Sequence, residues 1–218
     1  RLREDAVATF IATMKKYQTE ADKVHATLGQ EFSRTKIAQI MRYPVLVSNA
    51  LMEQKDGEVL WYRTDYHKKL VGDYKPYLRI GNQIVSPGQC LIRKAVIPRD
   101  WCKRRLTVNG CDDFLLWLLM FHEKRSFCAI EDKIYIHNDT VNSYSSSYEA
   151  MERSFYAVCE FLEQTDGYDK KKIQILRRRY ALKSKLKQNG SKRQKISVVL
   201  MNLDILYYTL KYKIKGYY

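Results

Sequence analysis

The chain has 218 residues, 45% of them hydrophobic, enough for one large domain or a compact domain with an extension. Five cysteines, an odd number with no CxxC pair, speak against a zinc site or a disulfide framework and for reduced thiols. No run of 18 uncharged apolar residues is present, which excludes a membrane-spanning helix of ordinary composition.

The net charge of +15 is unevenly spread. Residues 165–218 hold 15 Lys and Arg against Asp166, Asp169 and Asp204, a net +12, leaving +3 for the first 164. A basic tail of this kind points to an anionic partner, either nucleic acid or the negative surface of a cytoplasmic membrane. The chain opens on Arg1-Leu2-Arg3, so a piece of a longer protein or a processed product is expected. With no signal peptide in view, the expected location is the cytoplasm, including the inner face of the cell membrane.

In chain order, Val7, Phe10, Ile11 and Met14 recur at helical spacing and predict an amphipathic helix over 4–17, with Glu4 and Asp5 in its first turn. A second helix is predicted over 31–41, ending before Tyr43-Pro44. Val45-Leu46-Val47 reads as a strand, with residues 58–62 as its partner across Lys55-Asp56-Gly57. Residues 66–80 are polar and tyrosine-rich and read as a loop or short helix. After Ser86-Pro87-Gly88-Gln89, the run Cys90-Leu91-Ile92 is a strand candidate.

Residues 99–110 read as a loop, 112–121 as a strongly apolar helix and 129–136 as a strand. A helix over 148–163 would bury Met151, Phe155, Val158, Cys159 and Leu162. A linker is predicted at 165–172, then two basic helices over 173–187 and 195–215. Mixed strand and helix signals through the first 164 residues give an α/β class.

The segment richest in chemistry is Asn109-Gly110-Cys111-Asp112-Asp113-Phe114-Leu115-Leu116-Trp117-Leu118. Two carboxylates head a helix that is apolar from its next residue onward. Such a helix buries its body and leaves its amino terminus, with both acids, facing out of the core. The dipole there favours an ionised carboxylate, which can take a proton from an attacking hydroxyl. Spacing alone leaves a second reading open, in which Asp112 is a helix cap.

That run resembles the acidic motif of family 2 inverting glycosyltransferases, whose catalytic base is the second acid of the pair. The matching position is Asp113, with Asp112 beside it. Upstream, Ile84-Val85-Ser86-Pro87-Gly88-Gln89-Cys90-Leu91-Ile92-Arg93-Lys94 with Ile97-Pro98 looks like the segment that lies beside the acceptor in bacterial members. Gly88 would allow close backbone approach, and the amide of Gln89 could hydrogen-bond sugar hydroxyls. The resemblance places Trp117 with these two on the acceptor or donor side.

Downstream, Ile134-Tyr135-Ile136-His137-Asn138-Asp139-Thr140-Val141-Asn142-Ser143 is similar to the family's strand-to-loop segment, which makes His137 a candidate for the metal or the donor diphosphate. A structural histidine at the end of a strand is the other reading. Arg1-Leu2-Arg3-Glu4-Asp5-Ala6-Val7 looks like the run after the family's Asp-x-Asp metal motif.

The resemblance covers about residues 1–163. It implies a partial GT-A fold over 1–164, without its amino-terminal nucleotide-binding half, and a basic helical extension over 165–218. It also implies a nucleotide-sugar donor, a glycan or lipid-linked acceptor, and a divalent cation, Mg or Mn, whose main Asp-x-Asp ligands are not in this chain. Bacterial surface polysaccharide such as capsule or lipopolysaccharide is the implied setting. The chain alone would supply the base and acceptor side and is not expected to transfer sugar.

In residues 195–215, Ile196, Val199, Leu200, Leu203, Leu206, Tyr207 and Leu210 fall on one broad helical face among lysines. That pattern suits an anionic membrane interface, or packing against the domain. The rival from another class is a nucleic-acid-binding protein using the basic tail. The near charge balance of the first 164 residues makes nucleic acid the less expected partner.

Overall fold

The computed structural model describes residues 43–54, 57–138, 147–187 and 191–215, together with 8, 11, 12 and 15. Ala8, Ile11, Ala12 and Lys15 are helical, as the spacing predicts for 4–17. The helix predicted over 31–41 lies outside the described residues. The architecture is mixed α/β and resolves into two compact units. One holds the described residues of 43–62, 84–98 and 120–138; the other holds 63–83, 99–119 and the described residues from 147 onward.

The first unit is a mixed sheet built on β1 (Val45–Gln54). Residues 45–50 are all buried, as expected of a strand covered on both faces. Val45, Leu46 and Val47 pair antiparallel with β3 (Cys90–Ile92) on one edge and parallel with β4 (Phe127–Asn138) on the other. Further along, Leu51, Met52 and Glu53 pair antiparallel with β2 (Gly57–Leu60) and parallel with β4. Strands β3 and β2 therefore follow one another along the same edge of β1.

β1 runs seven residues beyond the apolar triplet that announces it, because Asn49 is satisfied inside the sheet. Its amide donates to the Tyr62 carbonyl at 3.0 Å, and its oxygen accepts from the Ala50 and Tyr62 amides at 2.9 Å each. This residue sits where the register against β4 shifts, and its side chain replaces ladder bonds that the irregularity removes.

In the second unit, Thr64 caps α1 (Asp65–Leu70) by accepting from the His67 amide, and Asp73 caps α2 (Tyr74–Arg79) by accepting from the Lys75 amide. These two helices occupy the stretch read as a loop or short helix. The expected loop 99–110 begins with a short helix, α3 (Arg99–Lys103). Then come α4 (Asp112–His122), α5 (Tyr148–Glu163) and α6 (Lys170–Lys187). α7 (Lys192–Leu200) and α8 (Leu203–Ile214) complete the chain order.

α5 starts and ends where the sequence places it. Ser147 caps it, and Phe155, Val158, Cys159 and Leu162 are buried, with Met151 half-buried. Each fully buried large apolar side chain stabilises by about 1.5–3 kcal/mol, so this stripe is a principal tie of the unit.

The expected break after residue 164 is not where the units divide. Thr165 and Tyr168 are buried, and α6 buries Ile173, Leu176, Tyr180 and Leu182. Tyr180 stacks on Phe155 of α5 with centroids 3.9 Å apart. The first basic helix is thus core, not appendage. The second, predicted as one helix over 195–215, is two, parted at Met201-Asn202. None of the five cysteines forms a disulfide. Among the described residues, no helix is long and apolar enough to cross a membrane.

Candidate functional site

The start of α4 is fixed from below and above. The Cys111 amide donates to the buried Ser154 hydroxyl of α5 at 2.8 Å, and that hydroxyl donates to the Val108 carbonyl at 3.0 Å. Ser154 thereby fastens the turn that precedes the helix. Residues 114–119 are buried, which anchors the body of the helix in the second unit. Trp101 of α3 donates its indole N–H to the Asp112 carbonyl at 3.2 Å. On this mount Asp112 is exposed and Asp113 half-buried.

The Asp113 carboxylate has two fixed donors. One oxygen accepts from the Phe114 amide at 2.7 Å and the other from the Asn82 side-chain amide at 3.0 Å. Burial pushes its pKa up from 3.8 to about 6, and the neighbouring Asp112 charge adds to that; the Phe114 and Asn82 hydrogen bonds act in the opposite direction. The helix dipole does not dominate here, contrary to the expectation from sequence. The carboxyl is still ionised in roughly nine molecules of ten at pH 7, and its basicity is higher than that of an exposed aspartate.

Arg179 of α6 packs near Phe114, the residue after Asp113. It donates to the Tyr77 and Leu78 carbonyls at 2.7 and 3.2 Å, at the carboxyl end of α2. Its guanidinium lies 5.6 Å from the ring centroids of both Phe114 and Phe155. A side chain at Gly81, beside Asn82, would come within 3.9 Å of that guanidinium. Asn82 carries no signal in the sequence, and Arg179 carries one that points elsewhere. Asn82 lies in a short polar run, and Arg179 sits inside a basic triplet that reads as a solvated helix face.

The other residues singled out from sequence have structural places. Trp117 is fully buried in α4, so its indole packs in the core and does not line an acceptor surface. Gln89 is also fully buried. Its amide nitrogen donates to the Ser48 carbonyl at 2.8 Å and the Tyr62 hydroxyl at 3.2 Å, while its oxygen accepts from the Val85 and Ser86 amides at 2.8 and 3.3 Å. With both donors and both lone pairs engaged, the amide clamps its own loop onto β1 and has nothing left for a sugar. That corrects the expectation for Gln89.

Gly88 does permit a close approach, but by a side chain of the protein. A Cβ there would stand 2.6 Å from the Tyr135 ring. The upstream segment and the Tyr-x-His strand are therefore in contact within the first unit. His137 lies half-buried on β4, opposite Met52 of β1, with its ring 6.1 Å from that of Tyr135. Residues 139–143 of the same segment lie outside the described residues.

Among the described residues, no three of His, Cys, Asp and Glu converge on a point that could hold a metal ion. The cation implied by the resemblance does not find a donor set in these residues, His137 included. A surface pocket of about 360 Å³ is lined by Glu163, Lys170, Ile173, Gln174 and Arg177, none of them singled out from sequence.

The chain matches no protein-family model, no curated protein and no solved structure.

Proposed function

We propose that this chain is part of an inverting glycosyltransferase of GT-A fold, in which Asp113 deprotonates the acceptor hydroxyl. The observation that carries the proposal is the mounting of that carboxylate. It is half-buried at the head of a buried helix, held by two donors, and raised to a pKa of about 6. A base of that strength is mostly unprotonated at neutral pH, yet basic enough to accept a proton as a hydroxyl becomes a nucleophile. The order of the four matching sequence segments supports the family.

In the proposed step the acceptor oxygen attacks the anomeric carbon from the face opposite the leaving group. The new C–O bond forms as the bond to the nucleoside diphosphate breaks, and configuration inverts. The acceptor proton passes to the free Asp113 oxygen lone pairs and then to water. Asn82 and the Phe114 amide hold the carboxylate still, so no reorganisation is needed at the moment of transfer. Asp112, exposed beside it, keeps the pair negative and favours proton capture. Donor sugar, lipid-linked or glycan acceptor, and a bacterial surface polysaccharide product belong to the same proposal.

The test is Asp113→Asn in the protein that carries this chain together with nucleotide-binding residues. Release of nucleoside diphosphate from a panel of nucleotide sugars, in the presence of acceptor, should fall by about a thousandfold. Donor binding measured by calorimetry should change little. Turnover within a few fold of wild type would remove Asp113 from the chemistry.

A further inference from the structure

The carboxyl end of α2 is closed by a side chain of α6 that lies 102 residues further along the chain. The Ile80 and Gly81 amides both donate to the Pro76 carbonyl, at 2.7 and 3.1 Å. In a continuing α-helix the Gly81 amide would meet the Tyr77 carbonyl, so that acceptor needs another donor. Tyr77 is fully buried, which keeps water from serving. One nitrogen of Arg179, Nη1, donates to the Tyr77 carbonyl at 2.7 Å and to the Leu78 carbonyl at 3.2 Å.

The turn that follows carries Asn82. Gly81 takes a φ of +149°, a conformation that residues with a side chain rarely adopt. The same Nη1 lies 3.9 Å from the position a Cβ would occupy there. Gln83, fully buried, donates its side-chain amide back to the Gly81 carbonyl at 2.7 Å. Asn82 thus stands between two anchored residues, and its amide reaches Asp113 at 3.0 Å.

The second donor to Asp113 is the Phe114 amide, at 2.7 Å. The Arg179 guanidinium, 5.6 Å from the Phe114 and Phe155 ring centroids, packs near that residue as well. One side chain therefore borders both segments from which the carboxylate draws its hydrogen bonds. Its own mount is firm, because Leu176 and Tyr180 of α6 are buried and Tyr180 stacks on Phe155. The charged and titratable groups gathered here are Asp112, Asp113, Cys111 and Arg179. Burial pushes the Cys111 thiol up to about 11, so it stays neutral while Asp113 titrates.

We propose that Arg179 is a positioning residue for Asp113: by closing α2 it fixes the turn over 80–83 and aims the Asn82 amide at the carboxylate. Helix α6, which charge alone assigns to an extension beyond residue 164, is then part of the frame of the site. The role in catalysis rests on the proposed reading of Asp113 as the base; the role in holding Asn82 does not.

Carbon-detected NMR titration of Asp113 in the full chain tests it, read together with the Asn82 side-chain amide protons. In wild type those protons should shift as Asp113 ionises. Arg179→Met keeps an apolar stem beside Phe114 and Phe155 and removes the donors. It should abolish that response and raise the Asp113 pKa by about one pH unit, a tenfold change in proton affinity. Arg179→Lys keeps the charge, but its nitrogen ends one bond short of Nη1. It should move both readings in the same direction, by about half as much, and it decides the matter should the Met variant not fold. On an Asn82→Ala background, Arg179→Met should add less than about 0.3 pH unit. A shift in the double variant equal to the sum of the two single shifts overturns the proposal, since Arg179 would then act on Asp113 by its charge. An Asp113 pKa and an Asn82 response both unchanged in the folded Met variant, or in the Lys variant if that alone folds, overturn it too. Turnover retained in Asp113→Asn would remove the base and leave these titrations as they are, so the two failures are told apart.

Discussion

Replacing Asp113 by asparagine should make the protein more stable at neutral pH while removing the proposed base. The carboxyl is easier to protonate in the folded chain than in the unfolded one, with a pKa of about 6 against 3.8. Its ionised form is therefore disfavoured by folding. The wild type is relieved of that cost below pH 3.8, where the group is protonated in both states. Stability then falls as pH rises from 3.8 to about 6, and stays lowered above that. At 1.36 kcal/mol per pH unit the full difference is about 3 kcal/mol, and the side chain's partial exposure screens it to about 1–2 kcal/mol.

Asparagine keeps the shape and one acceptor, and Asn82 can turn its amide over to meet the new N–H. The neutral variant should then gain about 1 kcal/mol at pH 7.5 and nothing at pH 3.5. For a domain of this size that is a rise of about 2–4 °C in Tm. Paired urea and thermal unfolding curves from pH 3.5 to 8 measure the difference, and titrations elsewhere, such as that of buried His67, cancel between the two proteins. A difference that does not change with pH, or a variant less stable at pH 7.5 than at pH 3.5 relative to wild type, would refute the reasoning.

Other outcomes follow from the same geometry. Asn82→Ala removes a donor to the charged carboxylate, so the Asp113 pKa should rise above 6, by about one pH unit; carbon-detected NMR titration reads it, and an unchanged or lower value would deny the contact. Gln89→Met should cost about 3–5 kcal/mol in urea unfolding, because the Val85 and Ser86 amides and the Ser48 carbonyl are left unpaired; a loss under 1 kcal/mol would return the amide to ligand duty. Gly88→Ala should cost about 1–3 kcal/mol through the Tyr135 ring, and Gly88→Ala with Tyr135→Leu should recover most of it. No recovery would place the strain elsewhere.

Elements announced by local pattern were legible. The apolar period and Ser147 cap set α5, and Cys90-Leu91-Ile92 is β3 residue for residue. Elements sustained by distant partners were not. Ser48-Asn49 looks like the end of a strand, and β1 continues only because Asn49 finds the Tyr62 backbone across 13 residues. The site divides in the same way. Asp113 stands out because polar turns to apolar within one residue of it. Asn82 meets it across 31 residues, and nothing local marks that pairing. For Gln89, composition shows an amide in a tight loop, but its direction depends on Ser48 and Tyr62, which no spacing rule connects to it.

Charge shows the same dependence on distant partners. The +12 of residues 165–218 invites an inference about anionic partners, but the fold uses part of it internally. Arg177 pairs with Glu163 at 3.0 Å, Arg178 with Asp204 at 2.8 Å, and Arg179 donates to two carbonyls near the end of α2. The basic triplet Arg177-Arg178-Arg179 thus has much of its charge engaged within the fold.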